Sequence, residues 1–119
     1  MIKKPLSDPP SCSNDILALY DALDTLGGKW KLIILHYLIT RENDRNTFKK
    51  IEKEIDGISA KVLTQELKAL EMNQLISRTV HATKPITVEY AITEYGKTIQ
   101  PVLSSLVNWG KNHRNTIYK

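Results

Sequence analysis

The chain has 119 residues, a length that fits one domain with enough residues to bury a hydrophobic core. Hydrophobic residues make up 41% and charged residues 25% of the chain, proportions that exclude a disordered or collagen-like protein. The formal net charge of +4 favours an anionic partner only mildly, so the arrangement of the residues must decide what the chain binds.

No segment of the sequence predicts a membrane or secreted protein. The longest apolar run, Leu32 to Leu35, is too short to cross a bilayer, and residues 1–10 lack the apolar stretch of a signal peptide. The single cysteine, Cys12, has no partner for an intramolecular disulfide, which suits a reducing compartment. We therefore expect a cytoplasmic protein that does not associate with a membrane.

Proline and glycine delimit the first predicted elements. Three prolines and several serines predict an irregular arm over residues 1–13. Asn14 is the predicted N-cap of a first helix over about 14–25, which Gly27 and Gly28 end because glycine tolerates the left-handed backbone conformation.

The next apolar segments predict a helix-turn-helix. A second helix over about 29–40 is apolar on nearly every side, so it belongs in the middle of the domain. A short third helix has one apolar stripe, formed by Phe48, Ile51 and Ile55. Residues 56–58, which include a glycine, break this helix, and Ser59 is a good N-cap for a fourth helix that runs to about Asn73.

After the fourth helix the apolar pattern changes from helical to alternating. Residues 75–81 are rich in β-branched side chains, and apolar residues occupy every second position of the segment that follows, namely Ile86, Val88, Tyr90 and Ile92. Residues 82–85 form the predicted tip of this hairpin. Thr93 is the predicted N-cap of a last helix over about 94–113, which Pro101 is expected to kink.

This order of elements predicts an α+β fold that is mainly α, a winged helix-turn-helix with additional N-terminal and C-terminal helices. We expect one domain over residues 14–113, between the arm and a C-terminal tail over 114–119.

The fourth helix carries the pattern that is most informative about function. Leu63, Leu67 and Leu70 fall on one side of a helical wheel. The opposite side is polar and cationic, with side chains that reach base edges or phosphates: Lys61, Thr64, Gln65 and Lys68. Many exposed helices look like this, but the tight turn before it and the hairpin after it favour a DNA recognition helix beside a wing.

Further cationic and polar positions leave two interpretations open. In the hairpin, His81, Thr83 and Lys84 either contact DNA or form a solvated turn. Arg78 either meets a phosphate or pairs with Glu89 across the hairpin. At the start of the third helix, Thr47, Lys49 and Lys50 either contact DNA phosphates or form a solvated face.

No catalytic or cofactor-binding motif is present. The three histidines lie in different elements without acidic residues at metal-ligand spacing, and His36 is expected to be a partly buried, hydrogen-bonded residue of the second helix. The cysteine has no evident histidine partner, and phosphate-binding and dinucleotide-binding glycine motifs are lacking. We expect neither an enzyme nor a bound cofactor or metal. The alternative to DNA binding is a winged helix that contacts proteins, for which Met72 is the single candidate anchor on the polar side of the fourth helix.

Several ordered motifs between residues 14 and 112 resemble those of the bacterial HxlR-type regulators, winged-helix proteins related in architecture to the MarR group. These motifs are Leu26-Gly27-Gly28-Lys29-Trp30-Lys31, Gly57-Ile58-Ser59, Val62-Leu63-Thr64-Gln65-Glu66-Leu67, Leu70-Glu71, Val88-Glu89-Tyr90, Thr93-Glu94-Tyr95-Gly96, Pro101-Val102-Leu103 and Trp109-Gly110.

The resemblance implies a homodimeric transcription factor, repressor or activator, whose first and last helices form the dimer interface. The positions implied for that interface are Ile16, Leu19, Tyr20, Leu23, Ile99, Leu103, Leu106, Val107 and Trp109. Those implied for the recognition helix are Ser59, Lys61, Val62, Thr64, Gln65 and Lys68, with residues 81–85 as the wing. A symmetric dimer predicts double-stranded DNA with a pseudo-palindromic operator as the partner. The sequence does not indicate a small-molecule effector.

The chain departs from similar proteins at a few positions. Thr47 and Thr87 replace residues that are commonly basic, and Gln74 replaces a common glycine after the recognition helix. Some members of the family resemble thiol-based sensors with a cysteine ahead of the first helix. Cys12 lies in a similar region, where it is either such a sensor, activated by the nearby helix start, or an inert cysteine.

Overall fold

The computed structural model describes residues 10–118, with side chains from Asn14 onward. This part of the chain contains five α-helices, a short 3-10 helix and one antiparallel hairpin, in the order of a winged helix-turn-helix. The helices and strands are α1 (Pro10–Leu26), α2 (Lys31–Thr40), α3 (Phe48–Glu54), α4 (Ala60–Met72), β1 (Ile76–His81), β2 (Thr87–Ile92), the 3-10 helix (Gly96–Ile99) and α5 (Gln100–Ile117). The predicted mainly α fold is confirmed.

The start of α1 differs from the sequence prediction. Residues 10–13 belong to α1, so Asn14 lies inside the helix and its assignment as the N-cap is wrong. Proline lacks the backbone N–H that the first helical turn leaves unbonded, which is why Pro10 is compatible with this position. The rest of the predicted arm, residues 1–9, lies outside the described residues. Gly28, with φ of +92°, ends the helix as expected.

The C-terminal helix also differs from the prediction. The Thr93 hydroxyl accepts a hydrogen bond from the Gly96 N–H at 2.9 Å, but this bond closes the turn before the 3-10 helix and does not cap α5. Pro101 lies in the first turn of α5, where no backbone N–H is required, so the predicted kink inside a longer helix is wrong. Because α5 continues to Ile117, residues 114–117 are helical and not part of a tail.

The hydrophobic core is built around α2, as its apolar pattern predicted. Ile34, Leu35 and Leu38 are fully buried. They share one cluster with the buried side chains of the surrounding elements, which include Ile51, Leu63, Leu67, Leu70, Ile76 and Leu103. The Tyr37 hydroxyl donates a hydrogen bond to Glu54 Oε1 at 2.7 Å, and burial together with this carboxylate raises the pKa of Tyr37 to about 12. The helix-turn-helix therefore packs on a buried apolar core centred on α2.

The hairpin register sets which side chains face α4. Ile76 pairs with Ile92, Arg78 with Tyr90 and Val80 with Val88. Alternate residues of a strand share a face, so these six side chains lie on the face that begins with the buried Ile76.

A left-handed residue joins α4 to the hairpin. Gln74 has φ of +63°, and the neighbouring Leu75 N–H donates to the Leu70 carbonyl at 3.0 Å. Glycine adopts this conformation without steric cost, which agrees with the glycine that the family resemblance implies at this position. In the part of the chain that is described, none of the helices combines the length and apolar character needed to span a bilayer.

Candidate nucleic-acid interface

A tight corner fixes the start of α4. Gly57 has φ of +86°, and the next residue, Ile58, is buried in the core. The Ser59 hydroxyl then accepts a hydrogen bond from the Val62 N–H at 3.2 Å, which confirms Ser59 as the N-cap. The cap satisfies one of the orphan N–H groups of the first turn and sets the direction in which the helix leaves the corner.

The two sides of α4 are separated as the wheel predicted. Leu63, Leu67 and Leu70 are at most 1% exposed. The opposite side is exposed along its length and carries Lys61, Thr64, Gln65 and Lys68. Neither lysine forms an ion pair with any of the described residues. This surface is therefore available to an external anion.

Two of the positions implied for the recognition helix are engaged within the protein. Val62 is half-buried and packs against the core. Ser59 uses its hydroxyl to accept the capping hydrogen bond. These two residues stabilise the start of α4, whereas the four exposed polar side chains named above form its outer surface.

An ion pair that the sequence did not reveal braces α4 against α2. Lys31 Nζ lies 3.0 Å from Glu66 Oε1, and both side chains are less than one fifth exposed. Glu66 follows the exposed Gln65 directly, so its pairing neutralises a carboxylate beside the polar surface of α4. The two residues are 35 positions apart, and no local pattern connects them.

The start of α3 shows a different role for one predicted phosphate contact. The Thr47 hydroxyl accepts a hydrogen bond from the Lys50 N–H at 3.2 Å and thereby caps α3, and the Thr47 backbone bridges to Glu89 of the hairpin. Lys50 Nζ lies 3.5 Å from Asp44 Oδ2. Lys49 is exposed and forms no ion pair among residues 14–118, so it is the cation of this turn that is open to solvent.

Glu89 connects the wing to the loop before α3. Its carboxylate pairs with Arg45 and, at 2.9 Å, with His81 Nε2. The hydrogen bond from Arg45, followed by that from His81, holds the pKa of Glu89 below its ordinary value. His81, the last residue of β1 before the tip, is therefore held against β2 by Glu89.

The same geometry excludes one of the two predicted roles of Arg78. Thr79, not Arg78, is opposite Glu89, and Arg78 lies on the other face of the hairpin, opposite Tyr90. The predicted alternative of an Arg78–Glu89 pair is wrong, because the alternation of side chains puts the two charges on opposite faces.

The tip of the wing is held by hydroxyl groups. Thr83 Oγ1 donates to the Pro85 carbonyl at 2.8 Å and lies 3.3 Å from Thr87 Oγ1. Lys84 is exposed at this tip. Thr87, at the position where the family resemblance implies a basic residue, therefore shapes the turn instead of adding charge.

The histidine of α2 is not where the sequence placed it. His36 is exposed and faces the groove between α2 and α5, beside Leu103 and Val107, so the expectation that it is partly buried is wrong. Its helix is apolar on nearly every side, but the elements packed around it leave this one strip uncovered. Within residues 14–118, no group of three or more potential metal ligands occurs.

A second exposed surface is apolar and lies on α1 and α5. Leu19 and Leu23 are each 59% exposed, and Trp109 is 64% exposed. Tyr20, Leu106 and Val107 are also exposed, and Ile16 is half-buried. The remaining predicted interface residues differ. Leu103 is buried in the core on the side of α5 that faces α2, and Ile99, at the end of the 3-10 helix, packs against the core. Cys12 lies in the first turn of α1, and its side chain is outside the described part of the chain.

Comparison with known proteins agrees with this architecture. A family profile described as "HxlR-like helix-turn-helix" matches residues 25–118. The chain belongs to the HxlR-like helix-turn-helix family. The Bacillus subtilis HTH-type transcriptional regulator YdeP is 38% identical over 97 residues, which are 82% of this chain and 73% of YdeP. This member of the family is accordingly an HTH-type transcriptional regulator rather than an enzyme.

Solved structures show the same fold. The structure of the putative HTH-type transcriptional regulator YtcD is similar with a TM-score of 0.74 and 35% identity, covering 82% of this chain and 96% of that one. The reduced form of the redox regulator HypR is similar with a TM-score of 0.75 and 30% identity, covering 85% and 97% of the two chains.

Proposed function

We propose that this regulator binds double-stranded DNA sequence-specifically, as a homodimer in the cytoplasm, with α4 in the major groove and the hairpin as a wing beside it. The observation that carries the proposal is the exposed surface of α4, whose two lysines have no ion-pair partner among the described residues while the leucines opposite are buried. An α-helix fits the width of the major groove, and helix-turn-helix proteins place this second helix there.

The side chains on α4 match the chemistry of base edges and phosphates. Gln65 carries both a donor and an acceptor, the combination that reads adenine in the major groove. Lys61 and Lys68 suit guanine acceptors or phosphate oxygens. The Thr64 hydroxyl donates to the Ala60 carbonyl at 2.8 Å, so it offers a lone pair and a methyl group rather than a proton.

The apolar surface on α1 and α5 supports the homodimer. The radius of gyration of 17.0 Å exceeds the roughly 13 Å expected for a compact domain of this length, so the single chain is an extended molecule. Exposed leucines and an exposed tryptophan on two helices gain stability when a second copy covers them. A two-fold dimer places its recognition helices on half-sites separated by about one helical turn, near 10 base pairs or a multiple.

A titration of duplex DNA at low and moderate salt tests the DNA-binding proposal. Because phosphate contacts release counterions, the affinity should fall by orders of magnitude between about 50 and 200 mM salt. The double variant Lys61→Gln/Lys68→Gln should bind more weakly with a shallower salt dependence, while Lys111→Gln on the exposed side of α5 should behave as wild type. An affinity that hardly responds to salt, or no binding, would contradict the proposal and favour the protein-contact function that the exposed Met72 allows.

Thiol-based control is a second candidate, and its support is the similarity to the redox regulator HypR. Cys12 is the one cysteine of the sequence, so a thiol response of this chain must use it. The variant Cys12→Ser should then retain DNA under diamide or quinone while the wild type releases it. If wild type and variant release DNA equally, thiol sensing is eliminated and DNA binding is not affected.

A further inference from the structure

A cleft of about 330 Å³ separates the polar surface of α4 from the hairpin. It is lined by Thr64, Lys68, Glu71, Arg78 and Tyr90. Arg78 comes two residues after the buried Ile76 and therefore lies on the hairpin face that packs against α4. Two cationic side chains, one from a helix and one from a strand, thus share one surface opening.

Neither cation is neutralised within the described part of the protein. Lys68 and Arg78 form no ion pair there, and the nearest acid of the hairpin, Glu89, is held on the opposite face by Arg45 and His81. Glu71 is the single carboxylate that lines the cleft, so the cleft carries a net positive charge. Like charges on facing elements repel each other, and an anion placed between them relieves that repulsion.

The position of the cleft indicates which anion it receives. In a winged helix bound to DNA, the recognition helix lies in the major groove and the wing beside it. The sugar–phosphate backbone is the wall between the major and minor grooves, and the cleft lies between those two protein elements. The planar guanidinium of arginine matches the two non-bridging oxygens of a phosphate, and lysine adds a second point charge.

We infer that the cleft between α4 and β1 binds one backbone phosphodiester of each DNA half-site, held by Arg78 and Lys68. The inference rests on the proposed DNA binding and adds Arg78 as a residue that positions the duplex without reading its sequence. Phosphate contacts fix the register of a protein on DNA, whereas base contacts specify the sequence. Arg78 therefore affects operator and unrelated DNA alike.

The experiment compares salt dependence in wild type, Arg78→Gln, Arg78→Lys and the control Lys111→Gln, which removes the same charge from α5. Each lost phosphate contact lowers the slope of log affinity against log salt by about 0.9, so the loss of both contacts of a dimer lowers it by about 1.8. Arg78→Gln, which keeps Lys68, should show a part of that decrease. Its affinity should fall by the same factor on operator and on unrelated duplex. Arg78→Lys should keep most of the slope, and Lys111→Gln all of it.

Phosphate ethylation then locates the contact. Ethylation of one phosphate in each half-site should weaken wild-type binding strongly, weaken the binding of Arg78→Gln by less because Lys68 still contacts that phosphate, and leave the binding of Arg78→Gln/Lys68→Gln unchanged. If wild type shows steep salt dependence and Arg78→Gln keeps the same slope and the same ethylation pattern, the cleft is not a phosphate site although the protein binds DNA. If wild type itself shows no salt-dependent binding, the proposed function fails and the inference fails with it. A loss of binding accompanied by a lower melting temperature in both Arg78 variants would show a structural role and also overturn the inference.

Discussion

The regulator has two exposed surfaces of opposite chemistry. On α4 the exposed side chains are lysine, threonine and glutamine, which water solvates well. On α1 and α5 they include Leu19, Leu23 and Trp109, each more than half exposed. Exposed charges cost a monomer little, while large exposed apolar side chains gain stability when something covers them.

The two surfaces also differ in the contacts that support them within a single chain. The α4 surface is braced from behind by buried leucines and by the Lys31–Glu66 ion pair, so it is ready to bind an anion. On α1 and α5, by contrast, the apolar side chains themselves are exposed. In the proposed homodimer, a second copy of the chain would cover this surface.

The largest expected effect comes from a charge on the apolar surface. Leu23→Asp should dissociate the dimer, because it buries an unpaired carboxylate in the contact. With only one recognition helix per molecule, operator affinity should fall by about 10²–10⁴-fold although no DNA-facing residue has changed. Sedimentation and operator titration measure the two effects.

Ala18→Asp is the matched control for that variant. It adds the same charge to an exposed position of α1 on the side of the helix away from Leu23, so it should remain dimeric and bind the operator. If Leu23→Asp stays dimeric as well, the assignment of this surface to the dimer is wrong.

A smaller effect is expected from the centre of the polar surface. Gln65→Ala should leave the dimer intact and lose discrimination at one base pair in each half-site, by about 1–3 kcal/mol per bidentate contact. Binding selections on randomised operators measure the loss. An unchanged base preference would exclude a base-reading role for Gln65.

A still smaller effect, on the stability of the fold, is expected from substitutions at the junction between α4 and the hairpin. Gln74→Gly should raise the free energy of unfolding by about 1 kcal/mol, because glycine adopts the left-handed conformation without the steric cost of a side chain. Asn73→Gly, one residue earlier at φ of −89°, should instead lower it. Denaturant unfolding of both variants tests the pair, and equal effects of the same sign would contradict the account.

The smallest expected effect is on the stability of the fold at acidic pH. Arg45 and His81 hold the pKa of Glu89 below its ordinary value of 4.5, so the folded state binds this proton less tightly than the unfolded chain. The stabilisation is present above pH 4.5 and is lost as the pH falls through the lowered pKa. Glu89→Gln should therefore melt with a weaker acid dependence than wild type below pH 4.5. Identical pH profiles would show that the contacts of Glu89 with Arg45 and His81 do not contribute to stability.

The sequence was sufficient to predict what depends on local patterns. The Ser59 cap, the buried leucines of α4 and the hairpin follow from helical and alternating periods and from turn residues, so their positions are confirmed. Helix ends were less accurate, since Pro10 and residues 114–117 are compatible with a helix but do not signal one.

Contacts between distant elements could not be predicted in the same way. The partners of Glu89 include Arg45, which is 44 residues away, and their meeting depends on how the loop before α3 packs against the hairpin. The burial of Leu103 and the exposure of His36 likewise depend on where α5 crosses α2. Helical periodicity identifies the apolar positions of a helix but not the neighbour that covers each of them.

Photocrosslinking tests the separation of the two surfaces most directly. A photoreactive side chain is placed at Gln65 in one sample and at Leu23 in another, and each sample is irradiated with operator DNA. We expect Gln65 to crosslink to DNA and Leu23 to a second copy of the chain. Crosslinking of Gln65 to protein alone, or of Leu23 to DNA, would contradict the account.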